Sequence, residues 1–129
     1  MAIKIESHQS PVASLLYEAR VLADLQGLPG FPKLYWAGTD GDYNVMVLSL
    51  LGPTLYDLYV HCGQNHFTLQ TVCMVAVQCF SLLQRMHDRG FLHRDIKPMN
   101  MAMGTGNNQD TVFMIDFGLA KKYIDERTG

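Results

Sequence analysis

The chain has 129 residues, 48% of them hydrophobic and 17% charged, with a formal net charge of −2; this is the composition of one globular domain with a modest core, not of a disordered chain. A pI near 6.2 gives no basic excess for nucleic acid or an anionic membrane, and the longest apolar run, 72–77, falls far short of the ~18 residues needed to span a bilayer. Three cysteines cannot all pair within one chain: Cys62, Cys73 and Cys79 lie in or beside apolar helix patterns and read as buried, reduced thiols, which suits a cytoplasmic or nuclear protein. The opening "MAIKIESHQS" contains no signal-peptide core.

"AIKIE" alternates apolar and polar residues and predicts a strand. Ser10-Pro11 reads as a helix start, with Ser10 at the N-cap and Pro11 at N1. Leu15, Leu22 and Leu25 follow at helical spacing, and Gly27 is a natural stop. "GLPGFPK" is loop. "LYWAGTDGDYNVMVLSLL" predicts two strands joined by a turn at Asp40-Gly41. "LGPT" breaks the pattern, and Thr54 with Asp57 three residues on predicts a capped short helix. Residues 68–89 hold the strongest helical pattern, through Leu69, Val72, Ala76, Phe80, Leu83 and Met86, and Gly90 ends it. That helix is apolar around much of its circumference, which predicts an uncovered apolar surface. Two short strands near 101–103 and 111–115 are joined by "GTGNNQD". The order is α+β, with a sheet-rich part first and a helical part after.

The chemistry lies in two loops. Phosphoryl transfer needs hard oxygen ligands for metal ions, a carboxylate to orient the attacking hydroxyl and a cation to meet the phosphates. Asp95, Lys97 and Asn100 in "HRDIKPMN", and Asp116 in "IDFG", are the right residue types; the first segment matches the kinase catalytic loop and the second its metal-binding turn. "AIK" matches the strand motif whose Lys meets the phosphates. Each motif alone is weak, but the three in this order are strong. Glu18 shares a helix face with Leu15 and Leu22, and a carboxylate on an apolar face is costly unless paired, so a Lys4–Glu18 ion pair is expected. The competing reading, loop-capping carboxylates and a solvated Glu18, explains none of this register. His61, Cys62 and His66 fit no zinc spacing.

"AIKIES", "LLYEARVLADLQG", "GDYNVMVLSLLGPTLYDLY", "FLHRDIKPMNMAMG" and "IDFGLAKKY" together resemble the casein kinase I family of protein Ser/Thr kinases over nearly the whole chain. The tau-tubulin kinases share the "GFLHRDIKP" style, while "GDYNVMV" and "LLGPTL" favour casein kinase I. The resemblance implies a protein-kinase-like bilobal fold, with residues 1–48 as the sheet-rich lobe and its helix αC, 49–53 as the hinge and 54–129 as the start of the helical lobe. It implies ATP and Mg²⁺ as cofactors and proteins with acidic or phosphorylated motifs as substrates. It implies that Lys4 holds the α- and β-phosphates and that Glu18 orients it. Asp95 would orient the hydroxyl, Lys97 would contact the γ-phosphate, and Asn100 and Asp116 would bind Mg²⁺. Ala2 would roof the adenine pocket, Leu48 would be its gatekeeper, the backbone of Ser49 to Leu51 its hinge, and Ala102 and Ile115 its floor. Leu22, His93 and Phe117 would stack as a spine between the lobes.

The sequence departs from the family in places. No GxGxxG occurs in it, and "GTGNN" is a hairpin turn, not that loop. The chain is therefore expected to be a truncated kinase domain, inefficient by itself, with a non-catalytic kinase-like binding module as the alternative. Met99, Ser49 and Ala102 replace residues more usual in the family. Lys121 and Lys122 read either as contacts for an acidic substrate or as a solvated pair.

Overall fold

The computed structural model describes residues 1–61 and 66–124. Strand β1 (Ala2–Ser7) is the alternating segment of the sequence. It pairs antiparallel with β3 (Tyr43–Leu48), and β3 pairs antiparallel with β2 (Leu34–Asp40), in the order β1-β3-β2. The β2–β3 hairpin turns at Gly41-Asp42, where Gly41 takes φ +55°, a conformation that costs a Cβ-free residue little. Met46 of β3 is fully buried and packs on Leu15 and Ala19 of helix α1 (Leu15–Asp24).

The start of α1 corrects the expectation from Ser10-Pro11. The helix begins at Leu15, and Ser14 is its N-cap without any cap bond from its own side chain. The Glu6 carboxylate on β1 accepts from the backbone N–H of Ser14 at 2.9 Å and of Leu15 at 3.3 Å. A carboxylate from a neighbouring strand thus satisfies the N-cap and N1 donors at the start of the helix, which no side chain of the helix itself reaches. The Ser10 hydroxyl instead reaches the carbonyl of Val12 within a turn.

Helix α2 (Leu55–His61) carries the expected cap: Thr54 Oγ1 accepts from Asp57 N at 3.0 Å, while Asp57 accepts from Thr54 N and Oγ1 at 2.9 and 2.7 Å. Helix α3 (Leu69–Asp88) is capped by Thr68, whose side chain accepts from Thr71 N, and ends at Gly90 with φ +78°. Strand β4 (Phe91–Leu92) pairs with β7 (Lys121–Lys122), and β5 (Met101–Met103) pairs with β6 (Val112–Met114). The architecture is α+β, sheet first and helices after.

One core joins the parts. Leu22 and Leu25 of α1, Leu82 and Met86 of α3, Met114 of β6 and Phe117 are all buried within it, each contributing roughly 1.5–3 kcal/mol by removal from water. α3 turns only this face inward. Leu69, Val77 and Phe80 on its outer side are 79%, 67% and 72% exposed, the uncovered apolar surface the pattern predicted. That orientation also corrects the cysteines: Cys73 lies off the inward stripe and is exposed, Cys79 packs against the core from the stripe but is only half-buried, and Cys62 lies outside the described residues. No described helix is long and apolar enough to cross a membrane.

Candidate active site

Period-2 geometry puts Lys4 and Glu6 on one face of β1, the face that meets α1. Lys4 Nζ lies 2.6 Å from Glu18 Oε2, the ion pair expected from Glu18's place on an apolar helix face. Glu18 is 4% exposed. Its other oxygen, Oε1, accepts from the backbone N–H of Phe117 at 3.2 Å. Both oxygens are therefore engaged, which is what lets a carboxylate sit in a buried position.

The loop after β4 is built around His93. Its ring is 1% exposed, Nε2 lies 3.0 Å from the carbonyl of Ile115, and Nδ1 accepts from Asp95 N at 3.2 Å. A carbonyl can only accept, so the tautomer carries its proton on Nε2. Arg94 is held at φ +68°, with Nε donating to the carbonyl of Leu119 at 2.7 Å. Asp95 Oδ2 then faces Lys97 Nζ at 2.9 Å and Asn100 Nδ2 at 2.9 Å. The Lys97 hydrogen bond, with help from Asn100, holds the Asp95 carboxyl below the usual carboxylate range. Asn100, 4% exposed, also donates Nδ2 to the Asp95 carbonyl at 2.8 Å, which leaves its amide oxygen on the opposite side as an acceptor.

The second loop is docked onto the first. Ile115 N donates to the Asn100 carbonyl at 3.0 Å, which sets Asp116 beside Asn100. Asp116 sits at φ +61°, and its Oδ1 accepts from Gly118 N at 3.3 Å. A non-glycine residue in this region costs of order 1–3 kcal/mol and persists only where its surroundings impose it. The surroundings here are explicit. The Phe117 ring is buried 5.5 Å from His93 and 6.0 Å from Phe31 between ring centroids, and Tyr17 Oη of α1 donates to the carbonyl of Ala120 at 2.8 Å. Leu22, His93 and Phe117 are each 1% exposed; Leu22 and Phe117 share one core, and His93 packs edge-on against Phe117.

Between the sheet and these loops lies a cavity of about 440 Å³. Ala2, Lys4 and Glu18 line one side, Leu48, Ser49 and Leu51 the rear, and Asn100, Ile115 and Asp116 the other side. Residues distant in sequence, expected to share one cleft, are thus brought to one cavity. Asp95 and Lys97 do not line it; they border it through Asn100. Ala102 departs from its expected place on the floor: it is 3% exposed, bridges to Thr54, and its single methyl does not reach the cavity. Met99 and Pro32 line the wall instead; from sequence Met99 was noted only as a departure from the family, and Pro32 was not noted. Glu6, Asn44 and Gln26 were also missed. Gln26 ties α1 to the next loop by donating to the carbonyls of Leu22 and Pro32 and accepting from Leu34 N. Glu6 carried a readable signal, two residues from Lys4 on the same strand face. Lys121 and Lys122 lie on β7, away from the cavity lining, and Lys122 Nζ stands 5.7 Å over the Phe91 ring.

An α+β chain whose strand lysine and helix glutamate are joined over a cavity lined by two loop side chains, Asn100 and Asp116, has the arrangement of a phosphoryl-transfer fold. The family model for the protein kinase domain matches residues 1–128, and the chain belongs to that family.

Proposed function

We propose that the chain carries the nucleotide site of a protein serine/threonine kinase of casein kinase I type, which moves the γ-phosphoryl group of ATP to proteins bearing acidic or phosphorylated motifs. The observation that carries this is the Lys4–Glu18 pair facing a cavity that Asn100 and Asp116 also line. Family membership supports kinase chemistry in general; the casein kinase I assignment rests on the sequence resemblance.

The donor set fits Mg²⁺. The Asp116 carboxylate and the Asn100 amide oxygen are hard oxygen donors on adjacent loops. When bound, the metal neutralises charge on the phosphates. The chain's own groups do the rest. Lys4, oriented by Glu18, meets the α- and β-phosphates. Lys97, at the cavity's border beside Asp95, meets the γ-phosphate. Asp95 accepts a hydrogen bond from the substrate hydroxyl. Its lowered proton affinity makes it an orienting group first and a proton acceptor only as the hydroxyl loses charge to the phosphorus. Ala2 and Leu48 bound the adenine position, with the backbone of Ser49 to Leu51 facing its edge and Ile115 beneath.

A second reading, a module that binds nucleotide or a partner without turnover, draws on the open side of the cavity. β1 is an edge strand of the described sheet. Calorimetric titration with ATP–Mg²⁺ tests both readings, followed by transfer of labelled γ-phosphate to an acidic protein in a chimera whose glycine-rich hairpin and helical lobe come from a casein kinase I. Binding with transfer supports the kinase. Binding without transfer in the chimera supports the module.

A further inference from the structure

β1 grips α1 at two points. Lys4 and Glu6 are separated by two residues on one strand face, a spacing of ~6.6 Å. Their partners, Glu18 and the N–H groups of Ser14 and Leu15, are separated by one turn of α1, ~5.4 Å; Glu18 N donates to the Ser14 carbonyl at 2.8 Å, the first bond of the helix. The two spacings match, so strand and helix meet like two rungs. One rung alone fixes a point and leaves the helix free to pivot about it. Two rungs fix its rotation as well.

We infer that Glu6 is a positioning residue, which holds α1 in the orientation that aims Glu18 at Lys4. Three further observations bear on it. The first turn of α1 has no cap of its own, since Ser14's side chain makes no cap bond, so Glu6 supplies what anchors that end. Glu6 is itself held from β3: Asn44, 6% exposed, donates Nδ2 to Glu6 Oε2 at 3.2 Å, and Asn44 Oδ1 lies 3.0 Å from His8 Nε2. A merely solvated carboxylate has no reason to be fixed from a neighbouring strand and a helix at once. Finally, Glu18 passes the position on, because its Oε1 holds Phe117 N in the loop that carries Asp116. What the pair does for phosphates rests on the kinase reading; where the pair sits does not.

The test uses the 129-residue chain without nucleotide. The rate of Lys4 acylation by an amine-selective ester is read by peptide mass spectrometry, with Glu18→Gln as the reference for an unpaired Lys4 and far-ultraviolet circular dichroism as the fold control. Glu6→Ala should raise the Lys4 rate to that of Glu18→Gln, a rise of up to about fivefold, the factor that a half-exposed ion pair withholds. Glu6→Gln, which keeps an acceptor oxygen but not the charge, should fall between wild type and Glu6→Ala. Adding Ser14→Asp to Glu6→Ala supplies a local cap to the N2 and N3 donors, Leu16 and Tyr17; it should raise hydrogen-exchange protection there and leave Lys4 reactive. A Lys4 rate in Glu6→Ala equal to wild type overturns the inference. So does full restoration of the Lys4 rate by Ser14→Asp, which would make Glu6 a cap and nothing more. If Glu6→Ala does not fold, Glu6→Gln decides: a wild-type rate there overturns the inference, and a raised one supports it. Lys4 reactivity is read without turnover, so a chain that transfers no phosphate defeats the kinase reading and leaves this one standing.

Discussion

Glu18 holds Lys4 with one carboxylate oxygen, at 2.6 Å, and the backbone of Phe117 with the other, at 3.2 Å. One side chain on α1 therefore couples the strand that carries Lys4 to the loop that carries Asp116. Glu18→Ala should release both. Leaving the Phe117 N–H buried without a partner costs ~1–3 kcal/mol, so a lowered thermal midpoint is expected together with a higher Lys4 reactivity. A midpoint equal to wild type would show that the Phe117 bond is dispensable.

Asp116→Asn should abolish phosphoryl transfer in the chimera while leaving the fold intact. It exchanges a charged oxygen donor for a neutral one at the proposed metal site of two protein donors, and the Gly118 N–H bond needs only an oxygen. Full activity in Asp116→Asn would remove the metal role from this residue.

Ser49→Glu should change little. The Ser49 hydroxyl accepts from Lys33 N at 3.0 Å, an exposed bond at the back of the cavity that a carboxylate can also accept, and in the proposed site the adenine edge is met by backbone. Exposed substitutions of this kind stay within about 0.5 kcal/mol. A large drop in ATP affinity by calorimetry would assign the side chain a direct role.

The Glu6 anchor is pH-dependent with a definite sign. The bond from Ser14 N, then those from Asn44 and Leu15 with the Lys4 charge, hold the Glu6 carboxyl below the ordinary glutamate value. A carboxyl depressed on folding stabilises the native state above its unfolded pKa and loses that contribution as pH falls through the folded one. Hydrogen-exchange protection of Ser14 and Leu15 should therefore hold at neutral pH and fall away below about 4, and Glu6→Gln should flatten that dependence. An unchanged profile in Glu6→Gln would place the acid sensitivity elsewhere.

The outer face of α3 should drive self-association. Leu69, Val77 and Phe80 stand largely in water, with Val72 and Met74 beside them. Contiguous apolar surface of this kind favours contact with other chains. Sedimentation velocity of the wild type should show concentration-dependent association that Phe80→Lys with Val77→Asp reduces; a monodisperse monomer in the wild type would refute it.

The amino-acid sequence by itself determined what depends on neighbours along the chain. The period of "AIKIE", the Thr54–Asp57 cap and the Gly90 stop are local facts, set by side-chain periodicity and backbone freedom. The order of "AIK", "HRDIKPMN" and "IDFG" carried the site residues, and Glu18's place on an apolar face implied its partner before any coordinates. The tertiary structure decided what depends on contacts across the chain. α1 starts at Leu15 and not at Ser10 because Glu6 reaches its N-terminus from another strand, a donor–acceptor match no local window contains. Cys73 is exposed because α3 is apolar nearly all round, so its pattern does not choose an inward face; packing of Leu82 and Met86 against α1 and β6 does. Ala102 is buried where β5 bridges to Thr54 and does not line the cavity, which Met99 and Pro32 wall in its place. Asn100 and Asp116 come together because β5 pairs with β6, Met101 opposite Met114, and the ladder continues into the bond from Ile115 N to the Asn100 carbonyl, a register that neither loop contains alone.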